Sequence, residues 1–420
     1  MFLDERPSIG LSLFRIAVAV TVGCHVIPSL LQLQDNYLAA GFKEYNGSFF
    51  PIWALQLVAQ SPDGLVIALM WLFYLSWGCF LVGLWSQAGC IVMNACCYYF
   101  YARNSLHIGT LSFDILLVTL ALMCVTSYHG DFLSIDSLRR GRPDAYRRPR
   151  PFFIQRLLQC QIWWTFWYTA LSKFTAGGNW LTDKPFYYLT HYPPMGVVRE
   201  FPLRGVFAQH PAVCYGLGIA LMACELSLPV LLFLRRTRPI GLLLGLAFHV
   251  MLLVTLHVPT IFFFLFPAQM LLFVDPEACV RWIEARQAAM TARPRPTLLY
   301  DGDCGFCLAS LRRLWVLDLF RQIETIDFHA VPNLSALHPA LSAERCRQRM
   351  QLVEPSGKLS DGFFAFRRMA LRLPLLWPVA PFCYVPGAGW IGQGVYDWVA
   401  RHRQTNQCTT GTARSDSSKT

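Results

Sequence analysis

Residues 64–102 read GLVIALMWLFYLSWGCFLVGLWSQAGCIVMNACCYYFYA, 39 residues without one charged side chain. A bilayer-crossing helix needs about 20 mainly apolar residues. The stretch is long enough for two, and Ser86, Gln87 and Gly89 interrupt it near its centre. It predicts two spans, 64–84 and 87–102, folded back as a tight helical hairpin. Similar runs lie outward from it at 10–31, 111–129, 152–173, 211–234, 239–257 and 259–275. The last two join through Val258-Pro259, a second hairpin turn. Asp4, Glu5 and Arg6 precede the first run without a small-residue cleavage site, so it reads as a retained span and not a signal peptide. The expected fold is an α-helical multi-pass membrane domain of about eight spans over residues 8–275.

Composition supports this. Of 420 residues, 55% are hydrophobic and only 15% charged, against about 25% in soluble proteins. Mean hydropathy is +0.38. A soluble enzyme and a disordered chain are both excluded. The net charge of +11 comes from 36 basic residues, of which only Lys43, Lys173, Lys184, Lys358 and Lys419 are lysines. No basic patch is interleaved with aromatics, so the expected partner is the lipid bilayer and not nucleic acid. The 15 cysteines are scattered through apolar runs, unlike a secreted disulfide framework. No internal repeat is visible.

Arginine placement sets an expected orientation. Arg139, Arg140, Arg142, Arg147, Arg148 and Arg150 lie between spans four and five. Arg235, Arg236 and Arg238 lie between six and seven, and Arg281, Arg286, Arg293 and Arg295 follow span eight. With eight spans all three clusters share one side, which the positive-inside rule places in the cytoplasm. The expected location is the inner cell membrane, with the N-terminus and everything after about 276 cytoplasmic. Segments 32–63, 103–110 and 174–210 then face outward.

Ionisable residues inside spans are functional hypotheses by default. They are Arg15, His25, Asp114, Lys173, Glu225, His249 and His257. Arg15 is expected to snorkel or meet a phosphate, Asp114 to suit the positive end of its helix, and Glu225 to need a buried partner or a proton. Lys173 ends Trp163-Trp164-Thr165-Phe166-Trp167-Tyr168-Thr169-Ala170-Leu171-Ser172-Lys173. At helical spacing it stacks above Thr169, Thr165 and Gln161, a polar stripe suited to lining a cavity. Aromatic surroundings disfavour an ammonium, which would suit a general base. An ordinary interfacial lysine in an aromatic belt accounts for the same residues. No metal-ligand spacing and no zinc motif occurs.

The second module begins at about 296. Thr297-Leu298-Leu299-Tyr300 reads as a buried strand, Asp301-Gly302-Asp303 as a turn, and Cys304-Gly305-Phe306-Cys307 as the opening of an apolar-periodic helix. A strand at 324–330, a hairpin turning on Pro355-Ser356-Gly357-Lys358, and a helix from Asp361 follow. This is a thioredoxin-like α/β order over 296–404. A cysteine at a helix N-terminus is favoured as thiolate, so Cys304 is expected as nucleophile and Cys307 as resolving thiol. Asp303 is expected to cap the helix, or to hold the thiol proton. Structural cysteines are the competing reading. Residues 405–420 read as a disordered tail.

Two resemblances refine these expectations. Leu11-Ser12-Leu13-Phe14-Arg15-Ile16, Ser134-Ile135-Asp136, and Trp167-Tyr168 with Lys173 and Trp180 resemble the HTTM family, which is similar to the membrane part of vitamin K-dependent γ-glutamyl carboxylase. The resemblance implies that Lys173 matches the base that deprotonates reduced vitamin K. It also implies that Asn104 and His107, with Trp180 of the motif, line a quinol or lipid-soluble substrate site, to which the polar stripe adds Thr169. The large lumenal domain that grips the carboxylase's protein substrate has no counterpart here, which leaves quinol oxidation, epoxidation or a short-peptide substrate. The run from Tyr300 to Cys307 resembles the DCC family of thiol-disulfide oxidoreductase-like proteins, and Asp301 and Asp303 fit its motif. The two together suggest a membrane redox protein with a quinone as substrate or redox partner and a cytoplasmic thiol reductant. The competing readings are a thiol reductase anchored by an inert membrane domain, and a transporter or peptide-maturation partner.

Overall fold

The computed structural model describes residues 4–38, 52–106, 108, 111–175, 204–255 and 260–411. The chain divides into two compact units, Met1–Asp136 with Arg147–Glu277, and Ser137–Tyr146 with Ala278–Thr420.

Helices occupy all eight places in the first unit: α1 (Ile9–Leu31), α2 (Asp63–Val82), α3 (Ser86–Arg103), α4 (Leu111–Cys124), α5 (Phe153–Thr175), α6 (Pro211–Phe233), α7 (Arg238–Thr255) and α8 (Thr260–Met270). Four of them, α1, α2, α6 and α7, are long and apolar enough to cross a membrane. A broken pair, Ile261–Phe273 with Pro276–Thr291, would make five. Among the described residues, the expected eight spans are therefore not reached on length and apolarity. With 14 residues, α4 is about 21 Å long against a hydrocarbon core of about 30 Å. The polar residues Gln155, Arg156, Gln159, Gln161 and Lys173 dilute α5. The Val258-Pro259 turn and His257 lie outside the described residues.

The central element is α1. Phe14, Val18, Val22 and Val26 recur every four residues and are fully buried. In lipid such a stripe contributes through close packing, because the surrounding acyl chains are equally apolar. The hairpin at 64–102 forms as expected between α2 and α3. It turns on Gly83, whose φ of +71° suits a residue without Cβ. A Cβ there would collide with the Arg15 guanidinium and with Ser134.

Arg15 does not snorkel. It is fully buried, and its guanidinium donates to the carbonyls of His129 (3.3 Å) and Leu133. A buried guanidinium needs such acceptors because no water replaces them. Nearby, Asp136 accepts from the backbone N–H of Ser86 (3.3 Å), and its own N–H donates to Gly83 O. The Ser134-Ile135-Asp136 patch thus fastens the hairpin turn. Two short strands, β1 (Glu5–Pro7) and β2 (Pro149–Pro151), pair antiparallel. Buried Asp131 receives Arg150 Nε at 2.7 Å and Nη2 at 3.1 Å. Part of the arginine cluster read as an orientation signal is therefore also structural.

The second unit carries a four-stranded sheet in the order β4 (Glu324–Asp327), β3 (Thr297–Tyr300), β5 (Gln351–Val353), β6 (Leu359–Asp361). β3 runs parallel to β4 and antiparallel to β5. Between β3 and β4 the chain crosses over through α9 (Gly305–Leu317). After the 355–358 turn come α10 (Gly362–Arg372) and α11 (Ala388–Gly411). Leu298, Leu352, Ala365, Met369 and Leu373 form a core of this unit. Burying each of the larger ones away from water contributes roughly 1.5–3 kcal/mol. The strand read over 324–330 stops at Asp327 and closes in a short 3₁₀ turn at Phe328–Ala330. α11 runs on to Gly411, past the boundary expected at 404 and into the segment read as a disordered tail.

Candidate functional site

The parallel register pairs Tyr300 with Asp327, so the chain leaves both strands at one sheet edge. The ends of parallel strands are where α/β sheets collect functional groups. After β3 comes Asp301-Gly302-Asp303-Cys304; after β4 comes His329.

The turn is held from both sides. Asp301 Oδ1 accepts from Asp303 N–H at 3.1 Å. Asp327 Oδ1 accepts from the N–H groups of Gly302 and His329, each at 3.1 Å. The Asp327 carboxylate lies where a Cβ at residue 302 would project, so any residue other than glycine would have to push that carboxylate aside. His329 Nε2 sits 3.1 Å from Asp301 Oδ1 and 3.5 Å from Asp303 Oδ2. The ligand atoms of Asp301, Asp303 and His329 lie within 4.8 Å of one another and could hold a cation, although Asp303 and His329 are exposed.

Asp303 is not the helix cap. Its side chain is 89% exposed and faces His329. The N-cap of α9 is Cys304, with extended backbone, and its Sγ accepts from Cys307 N–H at 3.3 Å. Sulfur takes the place a hydroxyl or carboxylate holds in most caps. The donated N–H and the positive end of the helix both face that sulfur. The two thiols differ in access, in the order opposite to that expected of a nucleophile and a resolving thiol. Cys304 is 2% exposed, whereas Cys307 is half-buried and lines a cavity of about 410 Å³.

In the membrane unit two of the ionisable residues meet. Lys173 Nζ on α5 lies within 2.6 Å of both carboxylate oxygens of Glu225 on α6. The side chains are 15% and 9% exposed. The stripe below Lys173 forms, but its hydroxyls turn inward to their own helix: Thr169 Oγ1 donates to Phe166 O and Thr165 Oγ1 to Gln161 O. Gln161 fastens α5 to α4 through Ile115 O and Thr119. Asn104 is fully buried, donating to Asn36 O at 2.7 Å and accepting from Leu106 N–H at 3.1 Å. Trp180 and His107 lie outside the described residues.

Several residues here carried no sequence signal. Arg103, 1% exposed, donates to the carbonyls of Tyr37, Val58 and Ala59. Cys90 and Cys124, on neighbouring helices, bring their sulfurs to 3.7 Å. His329 lies 25 residues beyond Cys304, and only the strand pairing brings it to the dithiol turn.

Apolar helices followed by an α/β unit with a capped Cys-x-x-Cys define a multi-pass membrane protein with a redox domain. Sequence profiles of known families agree. The HTTM domain profile matches residues 5–278, about two thirds of the chain, and the chain belongs to the HTTM family. A profile described as DCC1-like thiol-disulfide oxidoreductase matches residues 298–409, so this domain follows the HTTM domain in one chain. No curated protein and no solved structure matches the sequence.

Proposed function

We propose that this protein is a membrane-held thiol-disulfide oxidoreductase whose chemistry runs through Cys304 and Cys307. The observation that carries this reading is the N-cap: Cys304 Sγ receives the N–H of Cys307, the other member of the dithiol, at 3.3 Å. Two thiols one turn apart at the start of a helix can pass a mixed disulfide from one to the other and close it as an internal disulfide. The β3–α9–β4 crossover followed by an antiparallel hairpin supports a thioredoxin-like scaffold. The arginine distribution supports a cytoplasmic position for this domain at the inner membrane, where a cellular thiol is the reductant.

A second reading concerns the membrane unit. Lys173 Nζ is in contact with the Glu225 carboxylate, so a role for Lys173 as a base on a quinol or lipid-soluble substrate involves Glu225 as well. Under this reading the pair is the proton-accepting unit. The pair also satisfies two costly charges with each other, which favours an anchoring role.

The test uses full-length protein in lipid nanodiscs, reduced and mixed with hydroxyethyl disulfide. Wild type is expected to exchange and Cys304→Ser to lose resolution of the mixed disulfide. Lys173→Ala is expected to retain exchange. Equal activity in wild type and the Cys304→Ser/Cys307→Ser double variant overturns the proposal. Loss of a naphthohydroquinone's oxidation in Lys173→Ala alone supports the second reading.

A further inference from the structure

The cavity beside the dithiol is chemically one-sided. Its wall is built from Leu298, Leu311, Leu314, Met369 and Leu373, with Val395 on α11, and Cys307 opens into it. Cys304 does not line it. Its depth and its mouth differ in exposure: Leu373 is fully buried and Met369 3% exposed, whereas Val395 is 58% exposed.

Protein interiors are packed to the density of organic crystals and leave few voids larger than a water molecule. A cavity of about 410 Å³ falls in the range of small-molecule sites. Asp301, Ser310, Arg313 and Cys346 also border it, but most of the wall is apolar and holds water poorly. The occupant is therefore apolar, and the group it meets at the rim is a thiol in a domain built for thiol exchange.

We propose that the substrate of this domain is a small disulfide with an apolar tail, which lies in the cavity and presents its S–S bond to Cys307. This rests on the dithiol reading above. In the first step the Cys307 thiolate attacks one substrate sulfur. A Cys307–substrate disulfide forms, the substrate S–S bond breaks, and the other half leaves as a thiol after taking up a proton. In the second step Cys304, as thiolate, attacks Cys307 Sγ. The Cys304–Cys307 disulfide forms and the tailed half leaves as its thiol. The protein dithiol loses two electrons and two protons, and one disulfide becomes two thiols. Burial of Cys304 fits its arriving second, because only a sulfur already attached at Cys307 reaches it.

The experiment measures exchange by reduced full-length protein in nanodiscs with symmetric dialkyl disulfides, ethyl to pentyl. At about 0.8 kcal/mol per buried methylene, kcat/KM is expected to rise about fourfold for each carbon added to the seated tail. Val395→Trp narrows the mouth and is expected to flatten that rise, which separates cavity binding from simple partition into the bilayer. Val395→Ala widens it and is expected to move the optimum to a longer tail. In Cys304→Ala the mixed disulfide is expected to accumulate on Cys307, read by peptide mass. A flat series with active exchange, or a rise unchanged in Val395→Trp, overturns the substrate assignment and leaves the dithiol reading standing. A mixed disulfide that forms on Cys304 in Cys307→Ala, and none on Cys307 in Cys304→Ala, overturns the order of attack. Absence of any exchange overturns both.

Discussion

Lys173 on α5 and Glu225 on α6, 52 positions apart, are in direct contact, Nζ within 2.6 Å of both carboxylate oxygens. Removing one partner leaves the other charge buried in a poorly solvating region, a loss of about 3–5 kcal/mol for buried pairs. Lys173→Ala and Glu225→Ala are each expected to lower thermal stability in nanodiscs. The double variant is expected to be more stable than either single one. Additive losses would mean that the pair contributes nothing beyond its separate side chains.

Gly302 lies under the Asp327 carboxylate, which also ties down the N–H groups of residues 302 and 329. Gly302→Ala is expected to push that carboxylate aside and to destabilise the second unit by about 1–3 kcal/mol. Chemical unfolding followed by tryptophan fluorescence reads this. Disulfide exchange is expected to slow with it, since the same turn positions the Cys304 cap.

Cysteine alkylation is expected to discriminate three thiols of one domain. Cys307 is half-buried, while Cys304 and Cys346 are each 2% exposed. Burial pushes the Cys346 thiol above its ordinary range, although neighbouring Arg345 opposes this. At pH 8, iodoacetamide is expected to label Cys307 first. Labelling of Cys346 is expected to rise only in solutions more alkaline than an ordinary thiol requires. Peptide mass mapping over time reads the order, and equal rates for Cys307 and Cys346 would contradict it.

Asp318 caps the end of α9, accepting from the N–H groups of Gln322 (2.8 Å) and Ile323 (2.9 Å). Burial raises its carboxyl above the usual range, and those two backbone donors oppose the rise. A raised folded value means that the folded state holds the proton better than the unfolded chain. That contribution is complete below the ordinary Asp value of about 4 and is lost as pH rises through the folded value. The stability of wild type relative to Asp318→Asn is therefore expected to fall as pH rises above about 4. A difference that is constant with pH would contradict the assignment.

Asp131 is 4% exposed and receives Arg150 through two hydrogen bonds, with the Arg150 guanidinium 4.6 Å over the Tyr128 ring. Asp131→Ala is expected to destabilise the membrane unit by more than Arg150→Ala, because Asp131 also receives Ser8 Oγ and pairs with Arg148, partners it keeps when Arg150 is lost. Thermal melts of the two variants in nanodiscs test the ranking.

Much of this was legible in local sequence. The uncharged stretch 64–102 dictated a hairpin because a helix in lipid must satisfy its backbone internally and can reverse only at a short break. The Tyr300 to Cys307 run announced a strand, a turn and a helix start through residues that act within a few positions of one another. The number of spans was less legible. Apolar windows mark where helices form, but α4 and α5 are short or polar, and their fit depends on neighbours such as Gln161 against Ile115.

What sequence alone determined was therefore what short-range chemistry controls: membrane class, helix positions, and a dithiol at a helix N-terminus. What only the tertiary structure decided were the pairings across long separations. These are Lys173 with Glu225, Arg15 with the 129–133 loop, and His329 with Asp301. Tertiary structure also decided which thiol opens onto a cavity and which is sealed by its own helix. The physical reason is that hydropathy and capping act over a few residues. Ion pairing, burial and access depend on which helix or strand packs opposite, and no local pattern encodes that.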